Sequence, residues 1–284
     1  MAPSTGTAPR AGTITMSQRT LALVGPGRAG TAIAVALTAR GWRVVGVAGR
    51  DATRAAALGA RVDAPVRPIA EVARGAALVV VATPDAVIEA ATLALLPGLD
   101  EGAHVVHLAG SRGLEAFGAA RDTAGAWHFG ALHPLQTLSG ADAAARLDGA
   151  YVAVEGPPFV AELARGIGLV PIRVDPAHRA GYHAAAAVAS NHLVALTGQV
   201  ERLAAAAGVP FEAFLPLMRA TLDAVTSMGP AAALTGPVSR GDLATVRAHL
   251  DALDPDERGA YLALAREAAR LAGHDDPDLA EVLR

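Results

Sequence analysis

The chain of 284 residues carries nine histidines, no cysteine, and 24 basic residues that are all arginine. Without lysine there is no amine for a Schiff base, a Walker phosphate site or proton donation. Without cysteine there is no thiol nucleophile, iron–sulfur cluster, disulfide or cysteine-ligated zinc. Proton transfer therefore falls to histidine. His133 closes an apolar run in His133-Pro134-Leu135-Gln136-Thr137, a place suited to a donor beside a bound ligand, with Gln136 at hand to orient it. A partly buried histidine satisfied by backbone is the competing reading of that position. His104 and His107 lie three apart on one expected strand, so they face opposite ways; they are read as structural, and no metal site is expected. His183, Ser190 and Asn191 recur at seven and eight residues on an otherwise Ala-, Val- and Leu-rich helix, which returns them to one face two turns apart. Either they form a polar cluster in a cleft or they bond a neighbouring helix. Arg240, in a turn running from Thr235 to Asp242, is placed to clasp a carboxylate.

A second set of residues points to phosphate. Gly25-Pro26-Gly27-Arg28-Ala29-Gly30 follows the apolar run Thr20 to Val24 and precedes the Ala-rich stretch Thr31 to Ala39. Strand, glycine turn and helix in that order form a dinucleotide cradle: Gly25 for the tight turn, Gly27 for close approach of backbone to pyrophosphate, Gly30 for helix packing, and free N–H groups at the helix start. Where NAD-specific domains place an acid at the end of the second strand, this chain has Ala48-Gly49-Arg50. Arg50, helped by Arg28 or Arg54, suits a 2′-phosphate, so NADP(H) is expected over NAD, with Asp51 capping the next helix. Thr83 and Pro84, after the third strand, lie where the nicotinamide half belongs. Hydride transfer to a carbonyl or imine then needs a proton donor, which is the role open to His133 or His183, with Asn191 orienting the substrate.

The frame that must position these residues is α/β. Strands are expected at Thr20 to Val24, Arg43 to Val47, Ala77 to Ala82, Val105 to Ala109, Trp127 to Leu132, Tyr151 to Glu155 and Val170 to Val174, alternating with helical stretches at Ala52 to Leu58, around Glu115 and at Phe159 to Arg165. Ala77 to Ala82 is apolar without alternation, the pattern of a strand buried on both faces, and Thr83-Pro84-Asp85 is expected to cap the helix after it. Beyond Asp175 the pattern turns helical, beginning with one long run from Ala177 to Ala207 of about 45 Å. The expected architecture is a doubly wound, mainly parallel Rossmann-type sheet at residues 18–175 followed by an all-helical substrate and dimerisation domain at 176–284, after an N-terminal extension at 1–17 that reads as disordered and unlike a secretory signal; Met16 is an alternative start. Apolar residues make up 52% of the chain but aromatics only 4%, so the core is built from Ala, Val and Leu. A net charge of −3 gives no reason for a nucleic-acid or anionic-membrane partner, and no segment reads as a membrane span. A small-molecule substrate, a cytoplasmic location and a homodimer packed through the Ala-rich helix are expected.

Taken together, GPGRAG at 25 to 30, the ATPD stretch ending at Asp85, HPLQT at 133 to 137, HAAAAVASN at 183 to 191 and LTGPVSRGD from Leu234 resemble the two-domain family that joins a Rossmann-like domain to the helical domain of unknown function 2520, over about Leu21 to Leu250. That resemblance implies a C-terminal domain like that of 6-phosphogluconate dehydrogenase, an architecture shared with pyrroline-carboxylate reductases, and NADP-dependent reduction of a small 2-oxo acid, ketopantoate being the preferred substrate. A pyrroline-5-carboxylate-type imine reductase and a non-catalytic NADP-binding sensor are the alternatives. Many relatives carry Ser where this chain has Ala109, and better-known ketopantoate reductases use a lysine acid, so the acid here must differ.

Overall fold

The structure is a computed structural model that describes residues 18–123 and 125–284; the N-terminal extension lies outside the described residues. It divides into two compact units, one ending at Val188 and the other spanning Ala189–Arg284.

The first unit is built on seven strands: β1 (Thr20–Val24), β2 (Arg43–Ala48), β3 (Leu78–Val81), β4 (His104–His107), β5 (His128–Pro134), β6 (Tyr151–Glu155) and β7 (Val170–Ile172). Their order in the sheet is β2-β1-β3-β4-β5-β6-β7. β1 to β5 are all parallel, β6 runs against β5, and β7 is parallel to β6. The reversal at β6 follows from its connection, since only a loop with a single 3-10 turn, Ala145–Leu147, joins it to β5 and no crossover helix is available. All four residues of β3 are buried, as an apolar run without alternation requires. Helices α1 (Arg28–Ala39) and α5 (Pro158–Gly166) cover one face with a core of Leu21, Ile33, Leu37, Leu78 and Phe159. On the other face, α3 (Ile69–Val72) and α4 (Ile88–Leu95), which follow α2 (Ala52–Val62), pack with Val79, Val81, Ile88 and Phe117. Because β2 and β3 flank β1, the chain leaves the sheet in opposite directions from β1 and β3, which opens a crevice at their carboxyl ends.

Asp51 caps α2 as expected, accepting from the Arg54 N–H at 3.0 Å. Five local readings are corrected. The stretch Thr83-Pro84-Asp85 gives the following 3-10 turn, Asp85–Val87, no side-chain cap; the Asp85 carboxylate instead accepts a 2.5 Å hydrogen bond from Ser111. The region around Glu115 is 3-10 rather than α, with Gly118 at φ +49° breaking it. β4 ends at His107, because Ala109 turns its N–H to the His107 ring, and β7 ends at Ile172. The run Ala177 to Ala207 is not one helix: α6 (Arg179–Ala187) passes through a π turn at Val188–His192 into α7 (Leu193–Ala206). The insertion coincides with Ser190 and Asn191, whose short polar side chains compete with the helical ladder.

The second unit is helical throughout, comprising α7, α8 (Leu215–Met228), α9 (Pro230–Ala233), α10 (Leu243–Ala252), α11 (Pro255–Ala272) and α12 (Pro277–Val282). Its buried core is small: Val238, Val246, Ala265, Leu279 and Leu283. Asp242 caps α10 through the Thr245 N–H at 3.1 Å. Gln199 donates to the Glu257 carbonyl at 2.9 Å, and Arg202 pairs with the Glu257 carboxylate, tying α7 to α11.

Candidate functional site

The glycine turn builds one half of the site. Gly25 has φ +94°, and a Cβ there would stand 2.6 Å from the Ala82 carbonyl oxygen, so only glycine lets β1 turn beside the end of β3. At Gly30 a Cβ would fall 2.4 Å from the Gly25 carbonyl oxygen, which is how α1 packs so tightly against the turn. Gly27 differs from both: a Cβ there would meet nothing within 4 Å, because it faces open space. Gly27 is also the N-cap of the 12-residue α1, with no side chain capping it and no acid in the first turn. Its leading N–H groups are therefore available to an anion.

A cleft of about 840 Å³ lies over this turn. Gly25, Gly27, Arg28, Ala29, Arg50, Thr83 and Pro84 all line it, whereas Gly30 is buried beneath it. Arg28 and Arg50 are exposed. Asp51 is spoken for, since its carboxylate takes the Arg54 N–H and also pairs with Arg54 Nε at 3.1 Å. No carboxylate is thus left free at the end of β2 for a ribose hydroxyl, while a guanidinium is. Thr83 Oγ1 is buried without a partner among the described residues, a hydroxyl awaiting a ligand atom. Arg67, on the same cleft, was missed by the sequence reading because it follows α2 in a loop that only the bridge between Val47 and Val66 brings back beside β2. Together the open glycine, the uncapped helix start, the arginines and the orphaned hydroxyl fit a phosphorylated dinucleotide.

The other half collects at the carboxyl ends of β3, β4 and β5, adjacent parallel strands. His133, on β5, and His183, on α6, are brought together with ring centroids 5.8 Å apart. Both rings close over Gly110, where a Cβ would be 2.6 Å from His133 Nε2 and 2.6 Å from His183 Cδ2. Tyr182, which sequence reasoning missed, places its hydroxyl 2.9 Å from His133 Nδ1. The signal was present: Arg179, Tyr182 and His183 stand at i, i+3 and i+4, one helical face. Burial, reinforced by the nearby His183 and Arg179, pushes His133 down to about 4, so its ring is neutral at pH 7. Burial raises the Tyr182 phenol, with Arg179 opposing. A neutral imidazole hydrogen-bonded to a phenol can pass a proton in either direction. His107 supports the same corner: its Nε2 lies 2.9 Å from the Gly113 carbonyl and its Nδ1 accepts from the Ala109 N–H at 3.1 Å. His104, on the opposite face, stacks on Phe159 at 3.8 Å, so both act structurally.

Gln136 is exposed and turned into its own loop, donating to the Arg146 carbonyl at 3.3 Å and accepting from the Thr137 N–H at 2.8 Å. Ser190 and the exposed Asn191 lie in the π turn, and the exposed Arg240 ends the 3-10 turn Val238–Arg240; all three belong to the helical unit. Among the described residues no three of His, Cys, Asp or Glu are arranged to hold a metal ion. No helix among them is long and apolar enough to cross a membrane.

Comparison with known proteins follows this division. No curated protein matches the chain. Among solved structures, a protein of Bacteroides fragilis provisionally named an NADP oxidoreductase is 26% identical, covering 90% of this chain and all of its own, with a TM-score of 0.78. An imine reductase from Pseudomonas sp. is 22% identical, covering 93% of this chain and 97% of its own, with a TM-score of 0.63. A reductive aminase from Aspergillus terreus, solved with NADPH and ethyl levulinate, is 19% identical over 93% of this chain and 99% of its own, with a TM-score of 0.66. The last two share the fold. The Rossmann-like domain family matches residues 5–134 and the domain of unknown function DUF2520 matches residues 150–268. The chain therefore belongs with the proteins that join a Rossmann-like domain to DUF2520.

Proposed function

We propose that this protein is an NADP(H)-dependent oxidoreductase that reduces the C=O of a small 2-oxo acid. The observation that carries the reading is the cleft over Gly27, with its arginines and no free acid at the end of β2. The Bacteroides fragilis protein named as an NADP oxidoreductase supports it at the level of the whole chain.

In this reading Gly25, Gly27, Arg28 and Ala29 hold the pyrophosphate, Arg50 the 2′-phosphate, and Thr83 and Pro84 the nicotinamide half. Bound NADPH supplies the hydride. Tyr182 or His133 protonates the developing alkoxide: the phenol gives its proton to the substrate oxygen and takes the Nδ1 proton of His133 in exchange, while the ring takes up a proton from solvent at Nε2 and stays neutral. His183 walls the same corner, and Gly110 gives both rings room. Asn191, Ser190, Gln136 and Arg240 are proposed to orient the substrate, Arg240 at its carboxylate. Ketopantoate is the proposed substrate on the resemblance of the sequence motifs, and the absence of lysine shifts the acid's role to the His133–Tyr182 pair. Reduction of a C=N bond is the second reading, favoured by the fold shared with the Pseudomonas imine reductase.

The proposed assembly is a homodimer through the helical unit. No residue of α8 is buried, and Leu217, Leu222, Val225 and Met228 fall on one side of it at 64%, 50%, 36% and 57% exposure. A second copy would cover that stripe. A cytoplasmic location is proposed from the absence of cysteine. The deciding experiment offers ketopantoate and pyrroline-5-carboxylate separately with NADPH: oxidation of NADPH with the first supports oxo-acid reduction, with the second only the imine reading, and with neither it removes both.

A further inference from the structure

Arg179, the first residue of α6, is 4% exposed, although arginine is among the residues least often fully buried. Its Nη2 donates to Glu155 Oε2 at 2.6 Å, and its Nε and Nη1 have no partner among the described residues. A buried ion pair adds little to stability compared with apolar side chains of the same size, and unspent buried donors cost more still. A role beyond stability is therefore called for.

Geometry supplies one. Glu155 ends β6, where it pairs in register with Ala131 of β5, two residues before His133. The carboxylate is itself seated: a Cβ at Gly113 would stand 2.6 Å from Glu155 Oε2, and the Gly113 carbonyl is the partner of His107 Nε2. Arg179 thus ties the first turn of α6 to the strand beside the one that carries His133. One turn further on, Tyr182 and His183 share the face of Arg179 and meet His133.

We propose that Arg179, anchored by Glu155, is the positioning residue that sets Tyr182 on His133 and keeps a desolvated positive charge beside that pair. This assignment rests on the proton-donating role given to the pair above. The groups facing the pair are Arg179 and His183 on α6, Asp85 after β3 and His107 on β4, with Glu155 on β6 paired to Arg179. Of these, Arg179 pulls the Tyr182 phenol down against its burial and helps hold His133 down.

The test compares Arg179→Met, Arg179→Lys and Glu155→Gln in the full chain. The first readout is the titration of the His133 imidazole by NMR on cofactor-free protein, assigned by its absence in His133→Gln. The second is kcat against pH, with NADPH affinity as the control. Arg179→Met is expected to shift the His133 midpoint upward, move the alkaline limb of kcat upward, and lower kcat about tenfold or more with NADPH affinity kept. Arg179→Lys is expected to restore both midpoints but only part of kcat, because the charge remains and the planar fork is lost. A folded Arg179→Met protein with both midpoints unmoved overturns the proposal. Should Arg179→Met not fold, Glu155→Gln decides: a fall in kcat with the His133 midpoint moved down, as loss of an anion requires, supports it, and an unchanged kcat overturns it. If the wild-type protein reduces neither an oxo acid nor an imine, the reductase reading falls, while the His133 titration still judges what Arg179 does.

Discussion

His133 Nδ1 and the Tyr182 hydroxyl lie 2.9 Å apart, a strand end and a helix face joined by one hydrogen bond at the carboxyl end of β5. The bond gives a chain without lysine a neutral acid–base pair. If Tyr182 is the donor, Tyr182→Phe removes the proton and leaves the ring packing. Turnover is expected to fall about 100-fold or more, with NADPH affinity within about twofold of wild type. Steady-state kinetics with the accepted substrate, paired with calorimetry, checks this; full turnover in Tyr182→Phe would shift the role to a histidine.

Two glycines of the turn should respond in opposite ways. At Gly27 an alanine has room and an extended backbone, φ −79° and ψ −173°, so the melting temperature should move by no more than about 2 °C while NADPH affinity falls about tenfold or more. At Gly25 an alanine meets the Ala82 carbonyl at φ +94°, and stability itself should drop by about 1–3 kcal/mol. Thermal melts and NADPH titrations on the two variants separate a cradle for phosphate from a merely structural turn. Equal retention of affinity in Gly27→Ala would count against the cradle.

Much of this was legible in the residues, for reasons that are local. The glycine turn, the buried β3 and the Asp51 and Asp242 caps each depend on neighbours within a few positions, so sequence fixes them. The meeting of His133 with His183 was foreseen only as two separate candidates, since they stand 50 positions apart in the chain. Tyr182 and the Arg179–Glu155 pair escaped because their meaning depends on β6 lying beside β5. Asp85 was read as a cap, when a serine 26 residues away claims its carboxylate. The π turn was invisible to a count of apolar spacing, which does not register one added residue in an Ala-rich helix.

Acid should weaken the fold through His133. In the folded protein the ring takes its proton near pH 4, whereas an unfolded histidine takes it near 6.5, so between those values the unfolded chain binds more protons. The ring's contribution is complete above pH 6.5 and is lost as pH falls toward 4, on the order of 3 kcal/mol at most for a half-buried ring. His107, lowered mainly by its burial, acts in the same direction. Urea unfolding at pH 7.5 and pH 5 should therefore show a smaller loss in His133→Gln than in wild type. An identical loss in both proteins would place the titration elsewhere.

Preference for the tagged cofactor is expected to rest on Arg50, which stands beside an Asp51 already occupied by Arg54. Arg50→Ala should weaken NADPH about tenfold or more and leave NADH nearly unchanged, so that the two affinities converge. Fluorescence titration of both cofactors on the variant is sufficient. If the gap between them persists, another arginine of the cleft carries the discrimination.

The most direct measurement is isothermal calorimetry of purified, cofactor-stripped protein with NADPH and, separately, NADH. Saturable heat with NADPH, at an affinity at least about tenfold above that for NADH, is the expected result. An absence of heat with both would contradict a dinucleotide seat at Gly25 to Gly30, and equal affinities would contradict its choice of the phosphorylated form.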